Sequence, residues 1–313
     1  MFILRLIRLP NIIIILLTQA LLYYGLILPA FTKHSITSEM GTVGFINMFV
    51  ITAIVTISGY IINDIMDVKI DTFNKKDRLI LTNQITLKSA KILYAALLVF
   101  GFGLSLHYAV KHDVIRLLFI YPLACALLAL YSSHLKGLGF TGNIVVSLFS
   151  GGVAAILFLF EKKAFLQLKT DQFDTYNTVS QIMWAFIIFA FISSLYREII
   201  KDMEDFEGDR ANDSRTGAVL LGLKKTKIVT LFVGICFIAS VITWLLMPIN
   251  NGLILFISGG IIIAVIGLLT LILLIKSEKK QDFHTLSQII KIIMLLGLIY
   301  LTLYIFSFPN LHV

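Results

Sequence analysis

An all-α fold of membrane-spanning helices is what this 313-residue chain predicts, and three observations carry that reading. Its residues are 58% hydrophobic, with a mean hydropathy of +0.93. Only 14% are charged, against roughly 25% in a soluble domain. The apolar residues gather in runs of about 20, the length a helix needs to cross a bilayer.

Nine such runs follow in order: 11–30, 42–62, 89–110, 114–131, 141–160, 179–199, 227–247, 252–275 and 287–308. The third and fourth are joined by the short turn Lys111-His112-Asp113. Nine crossings put the termini on opposite sides of the membrane. The chain reads as one domain over 1–313, without low-complexity tracts. Arg5 and Arg8 precede the first run, but no small-residue cleavage site follows it, so no cleaved signal peptide is expected. Cys125 and Cys236 fall inside apolar runs and read as small core residues rather than a disulfide or a metal site.

Charge sets the orientation. The net charge of +8 is spread over residues flanking the runs, which points to membrane topology and away from nucleic acid. With the N-terminus inside, the cytoplasmic segments hold 20 of the 26 lysines and arginines. The outer segments hold Lys33, Lys111, Arg116, Lys162, Lys163 and Lys169. That asymmetry favours a cytoplasmic N-terminus and an outer C-terminus. The outer loop Glu161–Thr178 is polar, and little function is expected of it.

Two acidic clusters then face the cytoplasm, one after the second run and one after the sixth. Carboxylates are costly at a membrane border, so a cluster there calls for a partner. Asp and Asn oxygens are hard ligands suited to Mg²⁺, and clustered Mg²⁺ commonly carries a diphosphate. Asp67 and Asp205 are 138 residues apart, with four runs per interval. This suggests two four-helix pseudo-repeats with a ninth helix appended.

In the first cluster, Asn63, Asp67 and Asp71 are spaced i, i+4, i+8, with Asp64 beside them. If the helix continues past the border, these oxygens share one face. Bare carboxylates so close repel, and a cation removes the conflict. In the second, Glu198, Asp202, Asp205 and Asp209 follow 4, 3, 4 spacing, a single helical stripe. Asp205 and Asp209 are the most ligand-like pair, and Gly208 marks where the helix is expected to loosen. Arg197 and Lys201 alternate with these acids and are placed to hold phosphate oxygens. Further cations follow the first cluster in Asn74-Lys75-Lys76-Asp77-Arg78 and lie in Tyr131-Ser132-Ser133-His134-Leu135-Lys136. Cations opposite a metal–diphosphate site neutralise the leaving group. His134 reads as an interfacial side chain. No zinc-protease helix, phosphate-cradling glycine loop or nucleophile elbow is present, which argues against Ser or Cys nucleophile chemistry.

On these motifs the chain resembles the UbiA-type intramembrane prenyltransferases over essentially all nine runs. The first motif is Asn63-Asp64-x-x-Asp67-x-x-x-Asp71 with Asn74-Lys75-x-Asp77-Arg78; the second is Tyr131–Lys136 with Gly142-Asn143. The third runs from Tyr196-Arg197-Glu198 through Lys201-Asp202-x-Glu204-Asp205-x-Glu207-Gly208-Asp209-Arg210 to Arg215-Thr216. The resemblance implies nine helices around a central cavity and Mg²⁺-dependent transfer of a prenyl chain from its diphosphate to a membrane-associated acceptor. It implies metal-site roles for Asn63, Asp67, Asp71, Asp205 and Asp209, with Asp64 and Asp202 in close catalytic support. It implies diphosphate contacts for Arg78, Tyr131, Lys136, Arg197 and Lys201.

The third motif and the opening Arg8-Leu9-Pro10-Asn11 are most similar to the branch that makes digeranylgeranylglyceryl phosphate. Relatives of that branch attach prenyl chains to naphthoate, homogentisate or chlorophyllide acceptors, and an aromatic prenyltransferase of quinone biosynthesis, with a dihydroxynaphthoate or hydroxybenzoate acceptor, stands as the alternative. Many members carry prolines where this chain has Lys76 and Leu79, so its loop loses two φ-locked positions. A hydroxyl acceptor would need a base, for which Asp64 and Asp202 are both candidates. Two readings from other classes remain. A transporter would place ionisable groups near mid-membrane, whereas here they gather at the border. A phosphatidyltransferase-type enzyme would carry one acidic motif on fewer spans.

Overall fold

Backbone polar groups have no water to bond in a bilayer, so a chain this apolar satisfies them within helices. The computed structural model describes residues 7–74, 85–247 and 254–306, with the side chains of 69–74, 116, 254–256 and 306 excepted. Asn74 to Arg78 and Leu79 therefore fall outside the described side chains, as does the carboxylate of Asp71.

The helices are α1 (Leu9–Lys33), α2 (Gly41–Asn74), α3 (Leu87–Lys111), α4 (Ile115–Leu118), α5 (Ile120–Ser133) and α6 (Thr141–Phe160). They continue with α7 (Lys162–Asp171), α8 (Phe173–Glu204), α9 (Phe206–Ala211), α10 (Gly217–Leu245), α11 (Ile254–Lys276) and α12 (Lys280–Phe306). Two short strands, β1 (Leu138–Gly139) and β2 (Arg215–Thr216), pair in parallel.

Eight of the described helices are long and apolar enough to cross a membrane, and the protein is an integral membrane protein. The fourth expected run differs: it is split into α4 and the 14-residue α5. Pro122 explains the split. It has no N–H for the Leu118 carbonyl and is tolerated only in the first turn of a helix, where it sits in α5. The expected outer loop after α6 is also helical, as α7.

The chain forms two compact units. One comprises Met1–Gln19, Ser38–Lys136 and Phe158–Lys163. Within it α2 packs on α3 and α5. Gly101 lets α3 approach α5: a Cβ there would lie 2.3 Å from the Tyr121 hydroxyl oxygen, and that hydroxyl donates to the Leu97 carbonyl at 3.0 Å. Small residues at such contacts let membrane helices approach closely. At the start of α2, Glu161 is fully buried. Its carboxylate accepts from the Ser38 hydroxyl and from the backbone N–H groups of Glu39 (2.8 Å) and Met40 (3.2 Å). Glu39 reciprocates by accepting from the Lys163 N–H at 2.7 Å, at the start of α7. Each carboxylate thus caps the N-terminus of the other's helix, where unpaired N–H groups favour an anion.

The other unit comprises Ala20–Thr37, Gly137–Leu157 and Ala164–Val313. Its centre is a bundle in which α8 packs on α10 and α12, and α11 on both of those. Tyr196, Ile200, Met203, Leu274, Phe283 and Leu286 are its buried core near the end of α8. The Tyr196 hydroxyl donates to Thr270 at 3.1 Å. Gly222 breaks α10 near its start with φ +76°, a region that side-chain-bearing residues rarely adopt.

Candidate active site

Helical spacing builds the first acidic group. α2 runs on through Asn74, so Asn63, Asp67 and the backbone position of Asp71 stand on one stripe, as the sequence predicts. The Asn63 amide donates to Oδ2 of Asp67 at 2.8 Å, and Lys136 donates its ammonium to the same oxygen. Lys136 comes from the turn Leu135–Gly137 after α5. Asp64 points elsewhere, to an ion pair with Arg8 at 2.9 Å. Arg8 lies 4.5 Å over the Tyr60 ring, and the Asn11 amide donates to the Tyr60 hydroxyl at 3.1 Å. Arg8 holds φ at +51°, an uncommon value for a residue with a side chain, at the entry to α1. In the sequence Arg8 reads only as part of a motif, because its partner lies 56 residues away. Tyr131 lies in the last turn of α5 and is partly buried. His134 is exposed beside Ser133, as expected of an interfacial side chain.

The second acidic group sits where α8 gives way to α9. The break falls at Asp205 (φ −91°, ψ 4°), three residues before Gly208, which lies inside α9. The Asp209 N–H still bonds the Asp205 carbonyl at 2.9 Å, so the two carboxylates remain a turn apart. The expected single stripe is therefore bent after Asp202. The pairing of Leu138 with Arg215 and Gly139 with Thr216 fixes both the exit from α9 and the entry to α6. That entry places buried Asn143 against Asp202, its amide donating to Oδ2 at 3.0 Å. Arg197 pairs with its neighbour Glu198 at 2.7 Å. Its Nε is buried and accepted by no group among the described residues. Lys201 is exposed. Glu204 is tied to His284 of α12 at 2.8 Å.

Among the described residues no three Asp, Glu, His or Cys side chains converge on one point. Mg²⁺ binds proteins through one or two carboxylates and takes its other ligands from water and phosphate. Asn63 with Asp67, and Asp205 with Asp209, each offer a pair of hard oxygens one helical turn apart. The residues fit a Mg²⁺ that arrives with a diphosphate.

A family model described as the UbiA prenyltransferase family matches residues 13–306. The chain is 29% identical over 297 residues to the digeranylgeranylglyceryl phosphate synthase of Methanosphaera stadtmanae, covering 93% of this chain and 97% of that one. It is 33% identical over 194 residues to the synthase of the same name from Saccharolobus solfataricus, over 58% of each chain. A solved structure concerning digeranylgeranylglyceryl phosphate synthase in membranes superposes with a TM-score of 0.64 at 23% identity, covering 98% of both chains. At that identity the likeness speaks for the fold.

Proposed function

The chain belongs to the UbiA prenyltransferase family, and we propose that this membrane prenyltransferase moves a geranylgeranyl-type chain from its diphosphate to the hydroxyl of a phosphate-bearing glycerol lipid. The acceptor rests on the relatives that act as digeranylgeranylglyceryl phosphate synthases. The observation that carries prenyl transfer is the pair of acidic groups, each ending a spanning helix and each mixed with cations.

Asn63, Asp67, Asp71, Asp205 and Asp209 would hold Mg²⁺. When bound, Mg²⁺ neutralises the charge that develops on the departing diphosphate. Lys136, Arg197, Lys201 and Arg78, with Tyr131, orient the diphosphate and add positive charge where negative charge grows. The apolar helices keep water from the allylic carbon as its bond to oxygen breaks. Both acidic groups and the N-terminus belong to the cytoplasmic side and the C-terminus to the outer side, because 20 of 26 lysines and arginines then lie inside.

Purified protein given Mg²⁺ and geranylgeranyl diphosphate, with competing acceptors read by mass spectrometry, tests this. Geranylgeranylglyceryl phosphate should be consumed ahead of dihydroxynaphthoate and hydroxybenzoate. Preference for an aromatic acceptor would overturn the acceptor and keep prenyl transfer.

A further inference from the structure

A hydroxyl acceptor must lose a proton as it attacks, and the carboxylates of the two acidic groups differ in their fitness to take it. Asp64 is paired with Arg8, Asp67 with Lys136, Glu198 with Arg197 and Glu204 with His284. Each of those partners carries or can carry positive charge, which holds a carboxylate as an anion and makes it a reluctant base. Asp205 and Asp209 are the pair best suited to hold metal, and a bound cation would likewise keep them anionic.

Asp202 stands apart. Its partner is a neutral amide, that of Asn143, on Oδ2. Among the described residues no lysine, arginine or histidine pairs with it. Its acidic neighbours are Glu198 and Asp205 on its own helix and Asp209 on α9. From the other helices packed on α8, His284 of α12 is turned to Glu204, and Lys227 of α10 to the Phe283 ring and the Ile275 carbonyl. A carboxylate held by a neutral donor, with no cation paired to it, can accept a proton from a hydroxyl.

Asn143 is built to hold it. The side chain is buried, lies in the first turn of α6, and has its backbone carbonyl capped by the Ser147 hydroxyl at 2.6 Å. Its bond to Oδ2 fixes the carboxylate's rotation and leaves Oδ1 for another partner.

The geometry points to Asp202 as the general base for the hydroxyl acceptor and to Asn143 as its positioning residue, an inference that rests on the proposed prenyl transfer to a hydroxyl. The allylic C1–O bond of the donor breaks, and its electron pair leaves with the diphosphate. The acceptor oxygen bonds to C1 while its O–H proton passes to Oδ1 of Asp202.

The test uses the full-length protein with Mg²⁺, geranylgeranyl diphosphate and geranylgeranylglyceryl phosphate, plus the isosteric variants Asp202→Asn and Asn143→Asp. Asp202→Asn should lower kcat by about 10²–10⁴-fold, the usual worth of a general base. Donor Kd by calorimetry should stay within about threefold, a shift below 1 kcal/mol. Asn143→Asp should keep transfer but move the acidic limb of the kcat/KM profile up by about one pH unit, because a second carboxylate beside Asp202 opposes its ionisation. A merely structural Asn143 would leave that limb in place, and this result overturns the positioning role. Wild-type kcat in Asp202→Asn, or donor binding lost together with rate, overturns the base. If the wild-type protein transfers to no hydroxyl at all, the proposed function fails and the base with it.

Discussion

Lys136 donates to Oδ2 of Asp67, the same oxygen that accepts from the Asn63 amide. If Asp67 holds metal as proposed, a lysine on that oxygen competes with the metal for it. Its side chain is also 43% exposed, so the pair is partly screened by solvent and worth little on its own.

That competition gives the first prediction. Lys136→Met should tighten Mg²⁺ binding without substrate by about two- to threefold, the scale of an exposed ion pair. The same change should raise KM for the prenyl diphosphate, because the proposed phosphate contact would be lost. Calorimetry and steady-state kinetics read the two effects. Weaker Mg²⁺ binding in the variant would contradict the competition.

A second prediction concerns the acids on the two helices. Asp67→Asn and Asp205→Asn each keep shape and remove a charge. Each should cut diphosphate release by at least about 10²-fold, as removal of an electrostatic stabiliser does. Circular dichroism and gel filtration in detergent should match the wild type. Full activity in either variant would remove that residue from the site.

The helical placement of the acidic residues was legible in the sequence because it depends on local spacing. The i, i+4, i+8 pattern of Asn63, Asp67 and Asp71 needed only a helix that continues past the apolar run, and α2 does so. The position of the break after α8 was not legible: it falls at Asp205, although Gly208 is the local helix breaker. The strand pair Leu138–Gly139 with Arg215–Thr216 constrains that segment from 77 residues away, beyond any local pattern. The split of the fourth run follows from Pro122 and could have been read. Glu161 could not. In sequence it is the first residue of a polar loop, but its three donors come from Ser38, Glu39 and Met40.

Glu161 supplies a third prediction, about pH. Burial pushes its carboxyl above the usual range, and the bonds from Ser38, Glu39 and Met40 offset only part of that rise. The folded protein therefore binds this proton more tightly than the unfolded chain does. Stability from this group is fully present below the unfolded value of about 4.3 and is lost as pH rises through the higher folded value. The apparent melting temperature in detergent should fall over that window. In Glu161→Gln the fall should flatten, with a lower starting value because the amide N–H₂ cannot accept from the Glu39 N–H. An identical pH slope in the variant would contradict the burial effect.

Packing supplies a fourth. Gly101→Ala places a methyl 2.3 Å from the Tyr121 hydroxyl oxygen. Overpacking costs about 1–3 kcal/mol, so the apparent melting temperature should drop. Gly103→Ala, in the same helix with open space around it, should leave it unchanged. Equal behaviour of the two variants would contradict the close approach of α3 and α5.

Prenyl transfer itself is tested most directly by following product and leaving group together. Protein in nanodiscs is mixed with Mg²⁺, geranylgeranyl diphosphate and geranylgeranylglyceryl phosphate, and ether product and free diphosphate are quantified over time. They should appear one to one, and both should stop when EDTA is added or when Asp205 is replaced by Asn. Diphosphate retained on the lipid, or product formed equally well without a divalent ion, would contradict a metal-dependent prenyl transfer.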